Sequence, residues 1–170
     1  MREMNEVLHT TMESPIGELL LVGDEQALRG LYMQEGRTRM AVRSSWRRAE
    51  EPFAATRVQL GEYFAGERTE FDLPLEMAGT EFERDVWAEL SRIPYGGTRS
   101  YGEVARLIGK PDRARAVGAA NGRNPISVIV PCHRVIGADG SLTGYGGGLE
   151  RKRFLLGLEG IAVTEQLALA

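Results

Sequence analysis

The pattern of the sequence changes at Gly79, and no other feature limits the possible folds as strongly. Before it, short apolar segments broken by turn residues predict strands over residues 7–12, 19–22 and 28–33. One helix is predicted over residues 53–64, ending at Gly66. After Gly79 the apolar residues fall mainly at helical spacing. We therefore expect an α/β chain with a β-sheet-plus-helix module over residues 1–78 and a mostly helical domain over residues 79–170.

Two helices of the second domain are predicted to begin with a capping box. Thr80 is followed three positions later by Glu83, and Ser100 is followed in the same way by Glu103. Further helices are predicted over residues 101–108, 112–121 and 149–158. Between them, the apolar run 126–130 predicts a short buried strand that delivers Cys132 to a turn.

Positive charge is concentrated in one part of a chain whose net charge is −3. Residues 98–134 hold only two acidic residues but seven basic ones, namely Arg99, Arg106, Lys110, Arg113, Arg115, Arg123 and Arg134. A basic stretch of this kind suits a polyanion such as DNA, although it equally suits a solvated pair of helices.

The two helices within this basic stretch are joined by a Gly-Lys-Pro turn, which resembles a helix-turn-helix. The second helix is rich in alanine and glycine, and glycine costs about 1 kcal/mol inside a helix relative to alanine. Two explanations stay open: close packing against another helix, or close approach to the minor groove of DNA. With few long polar side chains, such a helix would bind DNA largely independently of base sequence.

Cys132 is the only cysteine and is followed directly by His133, one of two histidines. A lone buried cysteine is usually inert. A nucleophilic cysteine needs a base and nearby positive charge, because the thiolate is the reactive form. His133 and Arg134 offer both, and His133 would act through a bridging water. The alternatives are an inert thiol and a structural histidine.

The segment Pro131-Cys132-His133-Arg134-Val135-Ile136-Gly137 resembles the active-site motif of the O6-alkylguanine-DNA alkyltransferases, or methylated-DNA–protein-cysteine methyltransferases. The similarity continues in family order through residues 93–96, 100–105, 115–120, 124–125 and 144–148, and through Lys152 and Glu159. It covers about residues 80–160. The first module resembles the family's ribonuclease-H-like domain mainly in architecture. The resemblance implies a winged-helix-like second domain.

By this resemblance, each matching residue takes a role in DNA repair. Cys132 accepts the alkyl group, His133 is its water-linked base, Glu159 orients the histidine and Asn124 braces the turn. Arg115 enters the duplex and replaces the flipped nucleotide, while Tyr101 crowds the phosphate and hydrogen-bonds the extruded base. Tyr145 and the Gly146 N–H close over the lesion, and the carbonyls of Cys132 and Val135 accept from the guanine amino group. The remaining DNA-binding residues are Ser100, Ala116 and Arg134.

The implied substrate is O6-alkylguanine, and with it O4-alkylthymine, in double-stranded DNA. An alkyl group buried in the base stack cannot be reached unless the base is flipped out. With no second thiol to remove the group, we expect one turnover per molecule, no cofactor and no metal. The lack of a cysteine cluster also excludes an N-terminal zinc sensor. We further expect a monomer, with cooperative assembly on DNA left open. The first residues lack the apolar core of a signal peptide, so we expect a cytoplasmic location.

Three other functions compete with this interpretation. A lesion-binding relative without catalysis would lack the cysteine. A cysteine hydrolase would hold cysteine and histidine far apart in sequence. A helix-turn-helix regulator would leave the Pro-Cys-His-Arg segment without a role.

Overall fold

A computed structural model of the chain describes residues 6–35 and 39–162. The signal-peptide expectation concerns residues that lie largely outside these ranges. Within them, no helix combines the length and the apolar character that crossing a membrane requires.

The N-terminal part forms a four-stranded sheet of order β3-β2-β1-β4. Its strands are β1 (Leu8–Met12), β2 (Leu19–Gly23), β3 (Leu28–Met33) and β4 (Arg47–Arg48). The first three form an antiparallel meander, and β4 pairs in parallel with β1. The three strands predicted from the sequence are confirmed. Strand β2 is buried along its whole length, which places it at the centre of this part of the core.

Helix α1 (Ala54–Phe64) follows a short 3-10 turn, Glu51–Phe53. Its buried face carries Leu60 and Tyr63, which belong to the same core as the sheet residues Leu19 and Leu31. An extended segment then returns to the sheet, where Leu75 forms a parallel bridge with Leu28. The helix predicted for this region is confirmed.

The C-terminal part is mostly helical. Its helices are α2 (Glu81–Leu90), α3 (Tyr101–Leu107), α4 (Ala114–Gly122) and α5 (Leu149–Leu158). Both predicted capping boxes form, with reciprocal hydrogen bonds between Thr80 and Glu83 and between Ser100 and Glu103. The strands β5 (Arg99–Ser100) and β6 (Val135–Ile136) pair in parallel. They join the start of α3 to the segment that follows Cys132.

The strand predicted over residues 126–130 is wrong. These residues form a series of buried turns, with a single bridge between Ile126 and Leu31 of β3. Val128 has a φ of 70°, which is unusual for a β-branched residue and incompatible with a strand. A short apolar run indicates burial, but its periodicity does not distinguish a strand from a buried turn.

Candidate active site

Asparagine side chains fix the backbone around Cys132. Asn124 donates from Nδ2 to the carbonyl of Val130 at 2.8 Å and accepts from the amide of Ile126 at 3.0 Å. Asn121, on α4, donates to the carbonyl of Cys132 at 3.3 Å. Because these amides replace the hydrogen bonds of a regular element, the buried turns hold their shape and present Cys132 at the start of a 3-10 turn.

His133, the residue after Cys132, forms a hydrogen bond with Glu159. The distance from His133 Nε2 to Glu159 Oε2 is 2.7 Å, and both side chains are buried. Arg134 contacts the same carboxylate through Nε to Oε1 at 2.7 Å and through Nη2 to Oε2 at 3.0 Å. Burial by itself would raise the pKa of Glu159, but hydrogen bonds from His133 and Arg134 lower it to about 2. Glu159 is therefore ionised and can only accept hydrogen bonds.

This arrangement determines which nitrogen of His133 carries the proton. Since the Glu159 carboxylate only accepts, Nε2 must be the donor, and Nδ1 of the neutral ring keeps its lone pair. Nδ1 is buried and has no hydrogen-bond partner among the described residues. Burial lowers the pKa of His133, with Glu159 opposing the shift. At neutral pH the ring is thus a neutral base with a free acceptor nitrogen.

In the closed pocket, the surroundings of Cys132 act on the thiol in opposite directions. Burial raises the pKa of the thiol, although the Asn124 amide and the positive charge of Lys152 oppose the shift. Arg134 was expected to place positive charge near Cys132, but its guanidinium forms an ion pair with Glu159. Lys152, buried on α5, is the cation that acts on the sulfur. The closed pocket therefore favours the neutral thiol over the thiolate.

A glycine-rich loop closes the pocket over Cys132. Residues 144–147 of this loop line the pocket together with Asn121, Asn124 and Cys132. The Tyr145 hydroxyl is buried in this pocket, and its interaction with Cys132 is one of the causes that oppose the rise in the pKa of the thiol. The cavity of about 20 Å³ has room for about one water molecule. A larger cavity of about 540 Å³ lies between residues 69–75 and the segment around Tyr95, and Cys132 does not line it.

Two residues expected to contact the substrate or DNA are already engaged within the protein. Arg134 is buried, and besides Glu159 it donates to the carbonyl of Ile93 at 2.7 Å. In this structure its side chain supports the His133–Glu159 pair, and the expected contact with DNA stays a prediction. The carbonyl of Val135 accepts from Lys152 Nζ at 2.6 Å, so a guanine amino group would share this oxygen.

The remaining predicted DNA-binding residues lie near one another around α3 and α4. Arg115 is exposed, and no hydrogen bond or ion pair joins it to the other described residues. Ala116 is half-buried beside it. Tyr101 contacts the residue before the glycine-rich loop, and its hydroxyl accepts from Thr143 Oγ1 at 3.1 Å. Ser100 is half-buried, and its hydroxyl accepts from the Glu103 amide to cap α3.

The glycines of α4 bear on the two explanations left open by the sequence. A Cβ added at Gly122 would meet nothing within 4 Å, and one at Gly118 would make only ordinary contact with Tyr101 at 3.7 Å. Close helix packing therefore does not require either glycine. The low bulk of α4 leaves part of its surface open to a partner.

Sequence reasoning missed three residues of this site. Asn121 braces Cys132, Lys152 places a charge near the sulfur, and Tyr63 on α1 donates to Glu159 Oε2 at 2.5 Å. Lys152 was noted only as part of the family resemblance, without a role. For Tyr63 no local signal existed, because its partner lies 96 positions later in the chain.

Comparisons with known proteins give a consistent result for both parts of the chain. Residues 7–77 match the model of the 6-O-methylguanine DNA methyltransferase, ribonuclease-like domain. Residues 81–161 match that of the 6-O-methylguanine DNA methyltransferase, DNA binding domain. These matches confirm the two-part fold expected from the sequence.

Similar whole proteins carry a common description. A methylated-DNA–protein-cysteine methyltransferase from Mycolicibacterium paratuberculosis is 56% identical over 151 residues, or 89% of this chain and 91% of the relative. One from Methanosarcina acetivorans is 54% identical over 152 residues, or 89% and 97%. A crystal structure of Mycobacterium tuberculosis OGT in complex with DNA is 55% identical, covers 89% of this chain and 92% of its own, and has a TM-score of 0.84.

Proposed function

This chain belongs to the 6-O-methylguanine DNA methyltransferase family, and we propose that it repairs alkylated DNA by transferring the alkyl group to Cys132. The observation that carries this assignment is the hydrogen bond between Glu159 and His133, the residue after Cys132. A neutral His133, oriented by an ionised Glu159, directly follows the only cysteine of the chain in sequence. Such an arrangement serves to remove a proton from a buried nucleophile.

The reaction conserves atoms and charge. The sulfur of Cys132 attacks the alkyl carbon, a new S–C bond forms, and the bond between that carbon and O6 of guanine breaks. The thiol proton passes to His133 through a water, and the electron pair of the broken bond leaves with guanine. Guanine takes up one proton, with the Tyr101 hydroxyl as donor or hydrogen-bond partner, and the proton held by His133 replaces it through water. The products are then the thioether and neutral guanine. The thioether product is a poor leaving group, so each molecule acts once.

The substrate reaches the thiol only if the pocket opens. A space for one water cannot admit a purine, so the loop of residues 144–147 must move when a flipped base enters. Arg115 would occupy the gap left in the duplex, and Tyr101 would crowd the target phosphate. Once the loop closes again, Tyr145 covers the lesion and the Gly146 N–H meets O6, while the carbonyls of Cys132 and Val135 accept from the guanine amino group.

The finer points follow from the same proposal. The substrates are O6-alkylguanine and O4-alkylthymine in duplex DNA. One chain holds every site residue named above, so a monomer is the working unit. The boundary between residues 78 and 79, and the cytoplasmic location, stay predictions from the sequence.

The experiment is intact-protein mass spectrometry after incubation with duplex DNA that carries O6-methylguanine. We expect a mass gain of one methylene group, located on Cys132 by peptide mapping, because the thiolate is the nucleophile. Cys132→Ala should gain no mass. Excess DNA should give one methyl group per protein molecule and no more.

The same samples test the competing functions. A wild-type protein that binds the DNA but gains no mass would refute alkyl transfer and favour a regulator. Methyl groups removed in large excess over protein would contradict single turnover. Hydrolysis of an acyl ester that is lost in Cys132→Ala would indicate a cysteine hydrolase instead.

A further inference from the structure

The Glu159 carboxylate receives one hydrogen bond from the N-terminal part of the protein. The Tyr63 hydroxyl, near the end of α1, donates to Oε2 at 2.5 Å. The side chain is fully buried, and its ring makes edge contacts with Phe64 at 5.3 Å and with Tyr95 at 6.3 Å. Packing therefore fixes the hydroxyl in place. It contacts the same carboxylate oxygen that His133 contacts.

We propose that Tyr63 is a positioning residue for alkyl transfer, whose hydroxyl holds Glu159 Oε2 in line with His133 Nε2. The inference rests on the proposed function, because a positioned base matters only if Cys132 reacts. It gives the N-terminal domain a part in the chemistry. None of the described residues that line the pocket over Cys132 comes from that domain.

The geometry around Oε2 explains how the hydroxyl acts. This oxygen accepts from Tyr63, from His133 at 2.7 Å and from Arg134 Nη2 at 3.0 Å. Three donors prevent the carboxylate from rotating, and they share its negative charge. If Tyr63 stops donating, more of that charge acts on His133. The imidazolium form is then favoured, and the pKa of His133 rises.

The other charged and titratable groups around this pair remain unchanged when only the Tyr63 hydroxyl is removed. Arg134 lies on the same 3-10 turn as His133, and Lys152 faces the site from α5. Tyr95 comes from the segment after α2, where its ring packs against Arg134. Cys132 and Tyr145 complete the set on the pocket side. A change in pH dependence would therefore report the hydroxyl itself.

The first test compares Tyr63→Phe with wild type in single-turnover alkyl transfer from duplex O6-methylguanine, between roughly pH 5 and pH 9. The active form needs a neutral His133, so the rate falls as pH decreases through the pKa of His133. In Tyr63→Phe we expect the midpoint of this acidic limb to move up by roughly 0.5 to 1 pH unit. The rate constant at pH 7 should fall by about fivefold, while the final yield stays at one methyl group per protein.

Tyr32→Phe is the matched control. Tyr32 is a half-buried tyrosine of β3, and its hydroxyl has no hydrogen bond among the described residues. This variant should keep the wild-type rate and midpoint. A second variant carries 3-fluorotyrosine at position 63 alone. It keeps the shape of the side chain but donates more strongly, so the midpoint should move down instead.

The outcomes separate the two proposals. If wild type places no methyl group on Cys132, the proposed function fails and this inference fails with it. If wild type reacts and Tyr63→Phe keeps its midpoint, only the inference is overturned, even when the rate or the melting temperature falls. If Tyr63→Phe does not fold, the fluorotyrosine protein decides, because an unshifted midpoint there overturns the inference.

Discussion

Lys152 is a buried cation whose charge acts on a buried thiol. Its Nζ donates to the carbonyl of Val135 at 2.6 Å and to that of Thr143 at 2.9 Å. Burial lowers the pKa of Lys152 to about 8, so the side chain is still mostly charged at neutral pH. That charge opposes the rise in the pKa of Cys132 that burial causes. At the scale of single residues, the nucleophile thus depends on a lysine rather than on the neighbouring arginine.

Replacing this lysine should slow the reaction in a pH-dependent way. In Lys152→Met the pKa of Cys132 should rise further. A rise of about one unit corresponds to about 1.4 kcal/mol and an approximately tenfold lower single-turnover rate at pH 7. The loss should diminish as pH increases towards the higher thiol pKa. Arg153→Met, an exposed neighbour on the same helix, should keep the wild-type rate. A loss that is equal at every pH would point to a displaced loop and contradict the electrostatic explanation.

Helix α4 combines low bulk with an exposed surface. Its glycines are not needed for packing, since Gly122 has open space where a Cβ would be. The cost of glycine in a helix therefore calls for a reason outside the fold. Close approach of α4 to the minor groove would supply that reason. At the scale of elements, α4 packs Val117 and Ala120 into the core and leaves low bulk on the rest of its surface for a partner.

Gly122→Ala tests this explanation, with Gly61→Ala as its control. Both glycines lie in helices, and neither Cβ would meet another atom within 4 Å. Each alanine should raise the free energy of unfolding by up to about 1 kcal/mol, measured in urea. Only Gly122→Ala should weaken binding to a labelled duplex, by several-fold in fluorescence anisotropy. Equal DNA affinities for both variants would remove the minor-groove explanation for this glycine.

How well each element could be predicted depends on how local its cause is. The capping boxes at Thr80 and Ser100 were predictable, because each needs only residues three positions apart. The turns at residues 126–130 were not. They depend on Asn124 and on a bridge to β3, which a local pattern does not contain.

The residues of the active site also differ in whether their roles have local or distant causes. Cys132 and His133 are neighbours in the sequence, and their motif indicated the chemistry. The protonation of Cys132 follows from burial, and the role of Tyr63 follows from a contact between distant segments. Neither property is encoded in the spacing of nearby residues. The burial of Cys132 depends on distant segments of the C-terminal part, and the contact of Tyr63 depends on packing of the N-terminal part against it.

At the scale of the whole molecule, the described residues show two side-chain connections between the N-terminal part and the active site, besides the backbone bridge of Leu31 with Ile126. One is the Tyr63–Glu159 hydrogen bond. The other is Arg151 of α5, which donates to the carbonyl of Ile16 at 2.9 Å, to that of Gly147 at 2.9 Å and to Glu35 Oε2 at 2.7 Å. The loop that closes the pocket therefore rests on the first sheet. A Cβ at Gly147 would lie only 2.3 Å from Met33 Sδ, so the contact is close.

These connections predict that the two parts unfold together. Each part holds one of the two tryptophans, Trp46 and Trp87. In Trp46→Phe, the fluorescence of Trp87 follows the C-terminal part alone, whereas far-UV circular dichroism follows the whole chain. We expect the two urea transitions to coincide at pH 7. Two separate transitions would show that the parts are energetically independent.

Acid should weaken this coupling through Glu159, whose pKa is lowered from its ordinary value of 4.5 to about 2 in the folded protein. A carboxyl group with a lowered folded-state pKa contributes stability above its unfolded pKa, and this contribution is lost as pH falls towards 2. Glu159→Gln removes the counter-charge of the buried Arg134, so it should cost about 3 kcal/mol at pH 7. It should also flatten the dependence of stability on pH between about 4.5 and 2. Glu150→Gln, at an exposed site on α5, should retain the wild-type slope. If Glu159→Gln kept that slope as well, other carboxylates would be responsible for the acid sensitivity, and the electrostatic link between the two parts would lie elsewhere.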